Sequence, residues 1–137
     1  MSYEFTVSDV IPTSPRNVYD AWLNSDGHTN MTGSPAHIFS AEETTFTAWD
    51  GYITGRNITL DPAKRIVQSW RTTDFTDADP DSQIEILLEE VPGGTKIKLH
   101  HTNVPNGQFG YPRGWQERYF EPMKAFFGDR VGMRVST

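Results

Sequence analysis

The sequence predicts an α+β domain in which a curved antiparallel sheet of six or seven strands wraps around a long C-terminal helix. Three observations carry this. Residues 44–102 are dominated by β-branched and aromatic runs separated by turn dipeptides. From Tyr111 onward the pattern changes to apolar residues at four-residue spacing. Between the first strand and the rest of the sheet stand one or two short helical patterns.

The first strand is read from Tyr3, where Phe5 and Val7 alternate with polar residues until Ile11-Pro12. Ser14 is a natural N-cap, and Pro15 sits at the first helical position, where its missing N–H costs nothing. Val18 with Trp22, and Tyr19 with Leu23, then place one apolar stripe on a short helix. Residues 24–33 have room for a further helical turn before Gly33 stops it. Thr44–Trp49 is a strand, Asp50-Gly51 a two-residue hairpin turn, and Tyr52–Leu60 the returning strand. Asp61-Pro62-Ala63-Lys64 turns again into Arg65–Thr73. An acidic loop, Phe75–Asp81, leads to Ile84–Leu88, and Pro92-Gly93-Gly94 turns into Thr95–Thr102. The closing helix carries Tyr111, Trp115, Tyr119, Met123 and Phe127. Pro122 is expected to kink it, and Asp129–Thr137 is a weaker tail.

The 137 residues fit one domain, 1–137, with enough apolar side chains for a core. A net charge of -6 and the lack of any Lys/Arg cluster argue against nucleic acid as a partner. The absence of cysteine excludes disulfides, thiolate nucleophiles and zinc–thiolate sites. The first ten residues show no signal-peptide pattern, and no apolar run reaches the ~18–20 residues of a membrane helix. A cytoplasmic protein without membrane association is the resulting expectation.

This order of elements, with certain residues, resembles the family of activators of heat-shock protein 90 ATPase homologues. That family belongs to the START-like, birch-pollen-allergen-like superfamily with the helix-grip fold. The likeness runs through Val18-Tyr19-Asp20-Ala21-Trp22, Gly51 and Gly55, Asp61-Pro62, Ile66-Val67, Trp70-Arg71 and Gly93-Gly94-Thr95. Its most specific piece is residues 114–128, GWQERYFEPMKAFFG, which is similar to the closing helix of the co-chaperone's C-terminal domain. The resemblance implies a cavity between sheet and helix, and a chaperone as a possible partner. The chain opens on the first helix-grip strand, so the co-chaperone's separate N-terminal domain is not expected in it.

Strand alternation then nominates the cavity wall. Leu99 and His101 are taken as inward because the alternate set holds Lys96 and Lys98. Gln68 and Trp70 are inward on the preceding strand, and Tyr52 and Arg56 on the strand before that. Trp22, Trp115, Tyr119 and Met123 complete an aromatic pocket with a few polar groups, a usual small-molecule site. In the competing reading these side chains simply fill the core and the polar ones pair with each other. His100 and His101 point to opposite faces of one strand, so they do not share a metal, and no metal site or cofactor is expected. Asp77, Asp79 and Asp81 lack the glycine and glutamate of an EF-hand and read as a solvated loop. No catalytic constellation is visible. The expected function is non-enzymatic binding of a small hydrophobic ligand. The alternatives are a chaperone-associated interaction module, or a cyclase-like or hydrolase-like enzyme using His101 with Arg56 or Tyr119. Monomer and homodimer both remain open.

Overall fold

The computed structural model describes residues 2–136, with side chains through Gly128. Its order is β1 (Ser2–Ile11), α1 (Pro15–Trp22), α2 (Ser25–Thr32), β2 (Thr45–Ala48), β3 (Ile53–Asp61), β4 (Arg65–Thr72), β5 (Ser82–Val91) and β6 (Gly94–Pro105). The chain closes with α3 (Tyr111–Trp115), a π-helical turn (Gln116–Phe120) and α4 (Glu121–Ser136).

The six strands form one antiparallel sheet in the order β1-β6-β5-β4-β3-β2. Strands β2 to β6 follow one another as a meander, and β1 pairs with β6, so the chain's first strand lies beside its last. Register shifts between Tyr3 and Phe5 on β1 and between Asn57 and Thr59 on β3 bend the sheet around the helices. The helices cover its concave face and the core lies between. Ile66, Ile84, Ile86, Ile97, Leu99, Phe120 and Met123 are all fully buried there.

Local chemistry explains the helix ends. The Ser14 hydroxyl accepts from Asn17 N–H at 3.2 Å, with Pro15 behind it at the first helical position. The expected extra turn after Asn24 is a full second helix of eight residues. Asn24 Oδ1 caps it by accepting from Gly27 N–H, and Gly33 closes it at φ 83°.

The turn before Pro122 is π-helical. Glu121 N–H bonds back to Gln116 O, five residues earlier instead of four. This wider turn takes up the backbone that the proline ring would otherwise crowd. Trp115, Tyr119, Phe120 and Met123 all stay buried across the irregularity. Helical backbone continues to Ser136; the side chains of the predicted tail, 129–137, and Thr137 itself lie outside the described residues.

The hairpin at Asp50-Gly51 differs from the two-residue turn expected. Ala48 pairs with Ile53, so Trp49 and Tyr52 belong to the turn, and Trp49, Asp50 and Gly51 all adopt positive φ. The register is nonetheless the one a two-residue turn at Asp50-Gly51 would give, with Phe46 opposite Gly55; what differs from expectation is the inward face of β3. Ile53, Gly55 and Asn57 stand opposite Thr72, Trp70 and Gln68 and share their inward face. Arg56 therefore points outward. Its side chain is exposed and lies 3.7 Å from Glu43. Among the described residues, no helix is long and apolar enough to cross a membrane.

Candidate functional site

A pocket of about 880 Å³ opens between the start of the C-terminal helix and the β3–β4 end of the sheet. Trp115 and Tyr119 come from the helix, Trp70 and Ile53 from the sheet, and Trp49 and Tyr52 from the β2–β3 turn. Tyr111, Phe109, Gln108, Asp74 and Arg118 line its mouth, and Phe109 is 66% exposed. The rings form one connected cluster. Trp115 lies 4.8 Å from Tyr119 and 5.4 Å from Trp70 between ring centroids, and Trp70 lies edge-on to Tyr111 at 5.0 Å.

Of the sequence-nominated residues, Tyr52, Trp70, Trp115 and Tyr119 line this pocket. Trp22, Gln68, Leu99, His101 and Met123 are buried beneath it and do not. Arg56 is outside it altogether. Trp49, Asp74, Gln108, Phe109 and Arg118 were not nominated, and they sit in turns or on the helix flank, where alternation and the apolar stripe give no signal.

The buried polar groups pair with one another. Trp22 Nε1–H donates to Gln68 Oε1 at 3.3 Å, and Gln68 Nε2 donates to Asn57 Oδ1 at 2.8 Å. Asn57 Nδ2 in turn donates to the carbonyl of Phe39 at 2.8 Å, which ties the 33–44 loop to β3. Gln68 is thus the centre of a satisfied core chain and has no free group for a ligand.

His101 is equally committed. An indole N–H only donates, so Trp115 Nε1, 3.1 Å away, fixes Nδ1 as an acceptor. Nε2–H then donates to Ser82 Oγ at 2.9 Å, whose own proton goes to Trp70 O at 2.6 Å. Burial, reinforced by the neighbouring His100, pushes its pKa down to about 3. A second buried histidine, His28, donates from Nδ1 to Trp22 O at 2.9 Å and accepts at Nε2 from Tyr119 Oη–H at 2.8 Å. Burial lowers its pKa to about 4 and raises that of Tyr119. The Trp49 indole N–H works against the Tyr119 rise, although its own nitrogen is buried without a hydrogen bond of normal geometry.

The mouth is laced by hydrogen bonds. Tyr52 Oη–H donates to Asp74 Oδ2 at 2.6 Å, and Gln108 Nε2 to Asp74 O at 3.0 Å. Tyr111 Oη–H donates to Gln108 Oε1 at 2.6 Å and lies 2.8 Å from Thr72 Oγ1. Tyr3 Oη–H donates to the Gln108 carbonyl, so the β6–α3 strap is pinned from both sides. In the acidic loop, Asp81 pairs with Arg71 at 2.7 Å and Asp79 Oδ2 accepts from Thr76 N–H at 2.9 Å. Among the described residues no group of three His, Cys, Asp or Glu could hold a metal ion.

The activator of 90 kDa heat shock protein ATPase homolog 1 from Homo sapiens is 26% identical over 126 residues, covering 91% of this chain and 37% of the human protein. The corresponding activator from Dictyostelium discoideum is 29% identical over 117 residues, covering 83% of this chain and 30% of that protein. The chain therefore spans about a third of the length of these relatives. An HSP90 activator from Plasmodium falciparum superposes with a TM-score of 0.80 at 22% identity, over 91% of this chain and 96% of that one. The Aha1 dimer from Colwellia psychrerythraea gives 0.76 at 16% identity, over 91% and 96%. These two show the same fold. The sequence model described as "Activator of Hsp90 ATPase homolog 1-like protein" matches residues 12–128, and the chain belongs to that family.

Proposed function

We propose that this is a non-enzymatic binding domain that takes a small apolar, aromatic molecule in the pocket between its sheet and the start of its C-terminal helix. The observation that supports it is the pocket wall, a cavity of about 880 Å³ faced chiefly by indole and phenol rings. Such a wall offers large apolar area and flat stacking surfaces, with few polar groups to fix orientation. The polar residues nominated for catalysis, His101 and Arg56, are engaged elsewhere. His101 uses both ring nitrogens inside the core, and Arg56 is on the outer face.

Gly114 provides the test. It lines the pocket, and a Cβ placed there meets nothing within 4 Å. Gly114→Leu therefore puts a four-carbon side chain into the pocket wall at a helical position that tolerates it. Thermal-shift screening of apolar and aromatic molecules should find ligands that stabilise the native chain and not the Gly114→Leu variant. No stabilising ligand, or equal shifts for both proteins, would refute the reading.

A second reading, a cytoplasmic chaperone-associated module, is favoured by the names of the relatives, which are activators of a heat-shock ATPase. Adding the purified chain to a 90 kDa heat-shock chaperone decides it. A complex at micromolar concentration with a changed ATPase rate supports the role; neither effect counts against it.

A further inference from the structure

The following inference rests on the pocket reading and narrows it to a ligand class. Charge along the pocket is separated by position. At the Tyr111 end stands the Asp74 carboxylate, held by the Tyr52 hydroxyl. Arg118 stands seven residues farther along the helical path, roughly 10 Å on at about 1.5 Å per residue, and also lines the pocket.

Arg118 differs from the other arginines whose side chains are described. Arg16, Arg56, Arg65, Arg71 and Arg113 each lie within 4.0 Å of a carboxylate. Arg118 has no such partner among the described residues. Its guanidinium instead lies 5.6 Å over the ring of Trp49, itself a pocket wall. A cation–π contact restrains the guanidinium and uses none of its N–H groups as hydrogen-bond donors to a carboxylate. The rings of Trp70, Trp115 and Tyr119 belong to the wall of the same pocket.

We propose that the pocket selects an elongated aromatic anion, with its carboxylate or sulfonate on the N–H edge of Arg118 and its rings against Trp70, Trp115 and Tyr119. Asp74 sets the direction. The same ligand turned end for end would place its charge beside a carboxylate, so one orientation is accepted.

Two fluorescent probes of nearly one scaffold isolate the charge. 8-Anilinonaphthalene-1-sulfonate carries a sulfonate, and N-phenyl-1-naphthylamine lacks it. Both should bind the native chain saturably and compete, with the sulfonate on the order of tenfold tighter through its charge-assisted hydrogen bonds. Arg118→Gln, at an exposed position, should remove that advantage and leave the neutral probe's affinity within about twofold. If the neutral probe binds the native chain as tightly as the sulfonate, or Arg118→Gln weakens both alike, the anion proposal is wrong while the pocket reading stands. If neither probe binds, or Gly114→Leu binds both unchanged, the pocket reading itself fails and the proposal with it.

Discussion

His28 and His101 sit in one aromatic cluster as opposite tautomers, linked through the stacked rings of Trp22 and Trp115. His28 packs edge-on to Trp22 at 5.2 Å, Trp22 stacks on Trp115 at 6.1 Å, and Trp115 donates to His101. The Trp22 carbonyl holds the proton of His28 on Nδ1, and the Ser82 hydroxyl holds that of His101 on Nε2. A second proton on either ring must break or reverse an existing hydrogen bond, and among the described residues neither ring has a counter-ion.

That arrangement makes stability depend on pH in a defined direction. Burial lowers the folded-state pKa to about 4 for His28 and about 3 for His101, from an ordinary 6.5. Below pH 6.5 the unfolded chain takes up protons that the folded chain refuses, so stability falls as pH falls. The loss levels off only below the folded values. Between pH 7 and pH 5 each histidine should cost about 2 kcal/mol. Urea unfolding across that range measures it. His101→Gln, which keeps an acceptor for Trp115 and a donor for Ser82, should roughly halve the slope; an unchanged slope would show that His101 does not contribute.

Gln68 separates a core role from a ligand role. Gln68→Leu leaves the Trp22 N–H and Asn57 Oδ1 unpaired in the interior, at a cost of about 2–4 kcal/mol. Because Gln68 does not line the pocket, probe affinity should not change. Chemical denaturation and probe titration on the same variant give both answers. Little loss of stability combined with lost binding would reverse the assignment.

Much of this was legible from the residues. The apolar stripe from Tyr111 and the alternation on β4 and β6 placed Trp70, Leu99, His101, Trp115, Tyr119 and Met123 on the buried face, where they lie. Sequence patterns do not distinguish a side chain that lines a cavity from one that lies just below it, because both are apolar and inward. Leu99 and Met123 fell on the wrong side of that line. The β3 error has a local cause. Thr54, Arg56 and Ile58 alternate as plausibly as Ile53, Gly55 and Asn57, and only the pairing of β3 with the buried residues of β4 decides between the two sets. Trp49 was missed because its left-handed backbone takes it out of the strand that its composition suggests.

Gly55 carried the signal that would have corrected the face. A Cβ there would lie 2.0 Å from Ser69 O and 2.7 Å from the Phe46 ring, so only glycine lets β3 and β4 close over that ring. Gly55→Ala should destabilise by about 3 kcal/mol or more, seen in thermal melts. Adding Phe46→Ala should not rescue it, since the shorter clash is with backbone. Full rescue would place the constraint in the ring instead.

Access to the pocket depends on Gln108. The strap between β6 and α3 carries the exposed Phe109 at the rim, and the Gln108 side chain ties it to Asp74 on one side and Tyr111 on the other. Gln108→Ala removes both side-chain bonds and keeps the backbone bond from Tyr3. At roughly 1 kcal/mol or less per part-exposed bond, the strap should open on the order of tenfold more often. Amide exchange at residues 107–110 should quicken by that factor while the β4–β5 amides stay protected. Probe association should speed up as well, because a mouth that opens more often admits ligand more often. Faster exchange with unchanged association would mean that ligand enters elsewhere, past Trp49 and Arg118.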